Sequence, residues 1–137
     1  MGEFDEFGAY ARAAWSDPAL AEAHERRFEA LSDQSGRALL DALGTMAAPG
    51  RSALDLCCGP GGLTAALAAT GAKTVGLDVS EAMLARARVR AKDAELVHAD
   101  AAALPFADAR FDAVVSSFGL PHVADRAAAL AEARRVT

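Results

Sequence analysis

A chain of 137 residues, of which 53% are hydrophobic and 24% charged, has the composition of a single globular domain with enough apolar material for a core. Nineteen acidic against 14 basic residues leave a formal net charge of −5, which excludes the positive footprint that a phosphate backbone or an anionic membrane surface requires, so no nucleic acid and no membrane is expected as a partner. No segment is apolar over the width of a bilayer, and the start carries Glu3, Asp5 and Glu6 where a secretory or transit leader would be apolar or basic, so a cytoplasmic protein is expected.

In chain order, residues 4–43 read as helical, because Phe28, Leu31, Leu39, Leu40 and Leu43 recur at three- and four-residue spacing. Residues 1–48 are therefore expected to form a helical leader. Phe4, Phe7, Tyr10 and Trp15 repeat in it at near-helical intervals, which fits either a stripe facing the core or a lid over a ligand. Beyond Pro49 short apolar runs alternate with helical stretches, the pattern of βαβ units and a parallel sheet, so residues 49–137 form the second region. Strands are expected over 53–57, 73–78, 95–98 and 111–116, and helices over 62–69, 80–91 and 124–136. Ser80 suits an N-cap with Glu81 in the first turn against the helix dipole, and Gly71 stops the preceding helix.

The chemistry concentrates where the first strand ends. Leu54, Asp55, Leu56, Cys57, Cys58, Gly59, Pro60, Gly61 and Gly62 carry a strand into a glycine-rich turn that opens a helix. Glycines let a ligand approach the backbone, and the free N–H groups of a helix start attract a carboxylate or phosphate. Asp78 ends the next strand about 20 residues on, where a carboxylate can accept both hydroxyls of a ribose. Cys57, Gly59 and Gly62 mimic GxGxxG while Cys57, Gly59 and Gly61 mimic GxGxG, so spacing alone leaves a dinucleotide and S-adenosylmethionine both open. Two further carboxylates favour the second: Asp55, inside the strand end, suits an ammonium group, and Asp100, leaving the third strand in His98-Ala99-Asp100-Ala101, can accept from an adenine amino group. The cysteines are adjacent, so they offer neither a disulfide framework nor zinc-ligand spacing, and no metal site is expected.

Several runs in register, DLCCGPGGLTA from Asp55, GLDVSEAML from Gly76, ALPFADARFDAVVSSFGL from Ala103 and the helix ending Arg134-Arg135-Val136, resemble class I S-adenosylmethionine-dependent methyltransferases, most of all the ubiquinone/menaquinone-biosynthesis type and its small-molecule relatives. The resemblance covers residues 51–137. It implies an α/β Rossmann-like fold with a parallel sheet ordered 3-2-1-4 and N-terminal helices, S-adenosyl-L-methionine as cofactor, and methylation of O, N or C on a small-molecule acceptor. It further implies that Gly59, Pro60 and Gly61 line the methionine moiety, that Asp78 with Val79 meets the ribose, that Met83 packs on the adenine, and that Asp100 and Ala101 read its edge. Ser117 matches a position beside the transferable methyl.

Three departures qualify the resemblance. Cys57 stands where the first motif glycine falls, which narrows the pocket slightly. Pro121 and His122 replace the Arg and Asn that the quinone enzymes carry after this point, which weighs against a quinone substrate and makes His122 a candidate general base, with Trp15 and Tyr10 as candidate walls of the acceptor pocket. The run stops at Thr137, before the further strands of the family order 3-2-1-4-5-7-6, so the sheet is expected to lack its C-terminal strands and to leave the fourth strand as an edge for a second copy or a further segment to cover. A non-catalytic cofactor-binding fragment or subunit and an NAD(P)-dependent oxidoreductase are the alternatives.

Overall fold

The computed structural model describes residues 3–137, through the backbone alone at residues 3–5, 7 and 8. The leader forms two helices, α1 (Glu3–Trp15) and α2 (Pro18–Leu43). The break has a local cause: Pro18 at the first position of α2 has no N–H to continue α1, and Asp17 caps the new helix by accepting from Ala19 N at 2.9 Å. Helix α2 ends at Gly44, whose φ of 51° and N–H to Leu40 O close the last turn before a 3-10 turn at Gly44–Met46.

The βαβ alternation then runs β1 (Ser52–Leu56), α3 (Gly62–Ala69), β2 (Lys73–Asp78), α4 (Glu81–Arg90), β3 (Glu95–His98), β4 (Ala113–Val115) and α5 (Arg126–Val136), with a 3-10 turn at Leu120–His122 before α5. The strands are all parallel in the order β3-β2-β1-β4. Leu54 pairs with both Val75 and Val114, which fixes the register at the centre of the sheet. This is the Rossmann-like arrangement that the sequence implies. Strand β1 ends one residue early because Cys57 turns to φ 60°. Strand β4 is shorter than expected, since the Phe111 N–H is committed to Val136 O at the end of α5 rather than to the ladder.

Alternate residues of β1 serve opposite faces. Leu54 and Leu56 pack with Val75, Leu77, Phe111, Ala129 and Val136 under α5. Ala53 and Val115 pack with Leu63 and Leu67 of α3, against which Leu39, Leu40 and Leu43 of α2 lie. Each fully buried leucine contributes about 2 kcal/mol. Strands covered on both faces by helices read as near-continuous apolar runs, as these do. Arg135 fastens α5 to the preceding loop by donating to Leu104 O, Phe106 O and Asp108, and its pairing holds the Glu132 carboxyl down to about 2.

The N-terminal half of α2 leans away from the sheet and is tied to it by polar contacts. Ser80 Oγ caps α4 by accepting from Met83 N at 3.1 Å, and donates to Trp15 O at the end of α1. Glu25 meets Arg86, Asp33 meets Arg90 at 2.9 Å, and Ser35 Oγ lies 2.5 Å from Ser117 Oγ beyond β4.

Candidate functional site

The turn after β1 runs left-handed at Cys57 (φ 60°), Gly59 (53°) and Gly61 (84°). Three bonds fix it: Cys58 N–H donates to Leu77 O at 2.9 Å, Gly59 N–H to Asp78 Oδ2 at 2.8 Å, and Gly61 N–H to Cys58 O at 3.1 Å. Asp78 therefore positions the loop from the neighbouring strand, its Oδ1 meanwhile accepting from Ser80 N at 2.9 Å.

The two motif glycines serve different ends. A Cβ on Gly59 would meet no protein atom within 4 Å, and this residue borders the cavity described below. Gly61 does not border it: a Cβ there would stand 2.9 Å from Ala87 Cβ, so its bareness lets α4 pack against the start of α3. The structure thus places Gly61 behind the cavity rather than along its wall, where the sequence expects it. Cys57, the non-glycine at the first motif position, occupies the space that a side chain at Gly119 would need.

A cavity of about 420 Å³ opens at the carboxyl ends of the strands, over the switch between β1 and β4. Asp55, Cys57, Gly59 and Pro60 border it from the first loop, Asp78, Val79 and Met83 from the second, and Asp100 and Ala101 from the third. Ser117 and His122 border it from beyond β4. Apart from Gly61 and Tyr10, the site residues expected from the sequence border one space.

Asp55 is fully buried on the α3 side of β1, where Oδ2 accepts from Thr64 Oγ1 at 2.7 Å. Burial pushes its carboxyl up to about 7, against the Thr64 bond, with the nearby Asp78 adding to the rise. The Asp78 carboxyl is also raised by burial, opposed by the N–H groups of Ser80 and Gly59. Neither forms an ion pair among the described residues. Burial first, then the surrounding carboxylates, lifts the Cys57 thiol to about 12 and raises Cys58, so both thiols stay protonated at neutral pH and neither is a nucleophile. Asp100 is exposed and accepts from Ala102 N at 2.9 Å. This strand-end wall, with three carboxylates and no partnering guanidinium or ammonium, suits a ligand that carries positive charge.

The leader forms the opposite wall. Trp15 borders the cavity, as a lid would, whereas Tyr10 is 73% exposed and outside it, so Tyr10 is neither a core residue nor a pocket wall. The side chains of Phe4 and Phe7 lie outside the described residues. Phe28 and Leu31, whose spacing marks the helix, are 40% and 48% exposed and border the cavity with Arg12 and His24. Sequence reasoning missed His24 and Arg12. The signal was present, since His24, Phe28 and Leu31 share one helix face and Arg12 lies one turn before Trp15.

A parallel sheet ordered β3-β2-β1-β4, with a glycine turn after β1 and carboxylates at the ends of β1 and β2, defines a Rossmann-like fold, the fold that class I S-adenosylmethionine-dependent methyltransferases share. The methyltransferase-domain family matches residues 54–137, and the chain belongs to that family. A demethylmenaquinone methyltransferase of Beutenbergia cavernae is 48% identical over 101 residues, which is 74% of this chain and 41% of the relative. That of Clavibacter sepedonicus is 50% identical over 90 residues, 64% of this chain and 37% of the relative. A TehB-like SAM-dependent methyltransferase from Corynebacterium glutamicum superposes with a TM-score of 0.70 at 26% identity, covering 88% of this chain and 68% of that one. The chain spans about two fifths of the length of the curated relatives it matches. The match leaves the oxidoreductase alternative without support. Among the described residues no helix is long and apolar enough to cross a membrane.

Proposed function

We propose that this chain forms the S-adenosylmethionine site of a cytoplasmic methyltransferase that acts on a small-molecule acceptor. The observation that carries this reading is the pair of buried carboxylates, Asp55 and Asp78, under a glycine turn with no cation of their own. A nicotinamide dinucleotide would bring a pyrophosphate to the turn beside Asp55, whereas a cationic group there offsets the cost of burying that carboxylate; Asp78 serves a ribose in either case. The relatives named as demethylmenaquinone methyltransferases support a small molecule as acceptor.

On this reading Gly59, Pro60 and Cys57 border the methionine moiety, with Asp55 beneath its ammonium. Asp78 accepts from the ribose hydroxyls beside Val79, Met83 packs on the adenine, and Asp100 and Ala101 meet its edge. When bound, the cofactor supplies a methyl on a sulfonium whose leaving group is already activated. The chain's own work is then alignment and exclusion of water: Ser117 sets the floor beside the methyl, residues 1–48 act as a lid over residues 49–137, and His122 presents its ring at the acceptor side. The outer edge of β4 is completed by a further segment or a second copy.

Isothermal titration with S-adenosylhomocysteine, with NAD in parallel, tests the proposal. Micromolar affinity for the former alone, lost by about tenfold or more in Asp78→Ala, is expected. Binding of NAD with no binding of S-adenosylhomocysteine overturns it.

A further inference from the structure

The cavity has a polarity of charge that the cofactor does not use. Its strand-end wall carries Asp55, Asp78 and Asp100, while opposite them stand Arg12, His24, Glu25 and Glu29 of the leader, with His122 reaching in from beyond β4. On the leader side three rings from three elements lie edge to edge. Trp15 at the end of α1 stands 4.7 Å from the His24 ring of α2 and 5.2 Å from the His122 ring of the 3-10 turn, both nearly perpendicular, and Phe28 lies 4.7 Å beyond His24. No hydrogen bond within the described residues engages the ring nitrogens of Trp15, His24 or His122. His98, by contrast, is spent on Val79 O at 2.8 Å.

The charged neighbours are accounted for element by element. Glu25 of α2 is taken up by Arg86 of α4, and Glu29 by Arg90 at 3.4 Å. Arg12 of α1 forms no ion pair among the described residues, which leaves its guanidinium as the fixed cation of that end. Burial, and then the nearness of His122, lowers the His24 pKa, which keeps its imidazole unprotonated until an anion beside it offsets both causes.

Resting on the methyltransferase reading above, we propose that the leader side of the cavity is the acceptor subsite, with His24 as its proton acceptor and Arg12 and His122 holding the resulting anion beside the Trp15 ring. The ligand class is a flat acceptor with a dissociable hydroxyl. Its O–H bond breaks as an N–H bond forms on His24, the electron pair stays on the acceptor oxygen, and the imidazolium keeps the proton beside the bound anion, giving it up to solvent only when the ligand leaves. The packed rings border the cavity and offer it aromatic surface against which a planar body can lie, and Arg12 stabilises the oxyanion without itself moving a proton.

The test uses 4-nitrophenol, whose phenolate absorbs in the visible, added to the whole chain at a pH about one unit below the probe's own pKa. A phenolate band on binding is expected, and His24→Gln should lose it by about tenfold even where the probe still stacks, because an amide cannot take the proton. In His122→Gln the His24 imidazole, followed by NMR, should titrate at higher pH than in the parent chain as a like charge is removed. Probe binding with no band, or a band that survives His24→Gln, overturns the proposal. S-adenosylhomocysteine titrated into the same variants is the separate arm: its failure in the parent chain strikes the cofactor reading, while the band still decides the acceptor subsite.

Discussion

The two walls of the cavity are built from different materials. The strand-end wall is backbone and short carboxylates: the left-handed turn, the N–H of Gly59 on Asp78, and Asp55 locked by Thr64. The leader wall is long side chains, Arg12, Trp15, His24 and Phe28, on α1 and the first half of α2, which meet the domain through hydroxyl contacts and ion pairs, while Leu39, Leu40 and Leu43 of the second half carry the packing on the sheet core. A wall whose geometry is set by strand register holds one shape. A wall hung on polar contacts opens at small energetic cost, as admission of a ligand requires.

The sharpest way to break this contrast is at Asp55. Its pKa in the fold, about 7, lies above that of the unfolded chain, so the group favours folding most at low pH and loses that contribution as pH rises from about 4 to 7. Above pH 7 the buried charge costs about 3–4 kcal/mol. Asp55→Asn, which keeps an acceptor for Thr64, should therefore raise stability against urea at pH 8 by up to that amount, lose the advantage by pH 4, and weaken S-adenosylhomocysteine. A variant less stable than the parent at pH 8 would mean that the charge is already compensated.

Next in size is Gly61→Ala, which forces a Cβ into the left-handed region and against Ala87, at a cost of about 2 kcal/mol in thermal unfolding. Gly59→Ala shares the backbone cost without the clash, so it should fall hardest on ligand affinity; equal effects of the two on folding would contradict the division of labour between the glycines. The smallest effect belongs to the leader. Arg90→Ala removes the partner of Glu29 and Asp33 and should loosen α2 by roughly 0.5–1 kcal/mol. Trp15, the only tryptophan, reports it as a red-shifted emission that added salt reproduces in the parent chain.

The strand-end wall was legible because its parts are local. Asp55, Asp78 and Asp100 each follow or end a short apolar run, and the helices after the first two turns are announced by Gly62 and Ser80. The leader wall was less so. The three- and four-residue spacing of Phe28, Leu31, Leu39, Leu40 and Leu43 marks one helical stripe but not what each part of it faces: the last three meet the sheet core while the first two meet the cavity. Gly61 failed for the opposite reason, since a motif glycine looks like a ligand contact unless the helix packed behind it is known.

The overlap between Cys57 and the position that a Gly119 side chain would take constrains how this sequence can change. The gap between the turns after β1 and β4 admits one β-carbon, and Cys57 fills it from the first turn although its backbone is left-handed. Residue 119, at an ordinary φ of −79°, is glycine for want of room and not for conformation. Substitutions at the two sites are thus ordered in time: 57 must become glycine before 119 can gain a side chain, and a lineage that reverses the order passes through a chain whose cofactor turn cannot close.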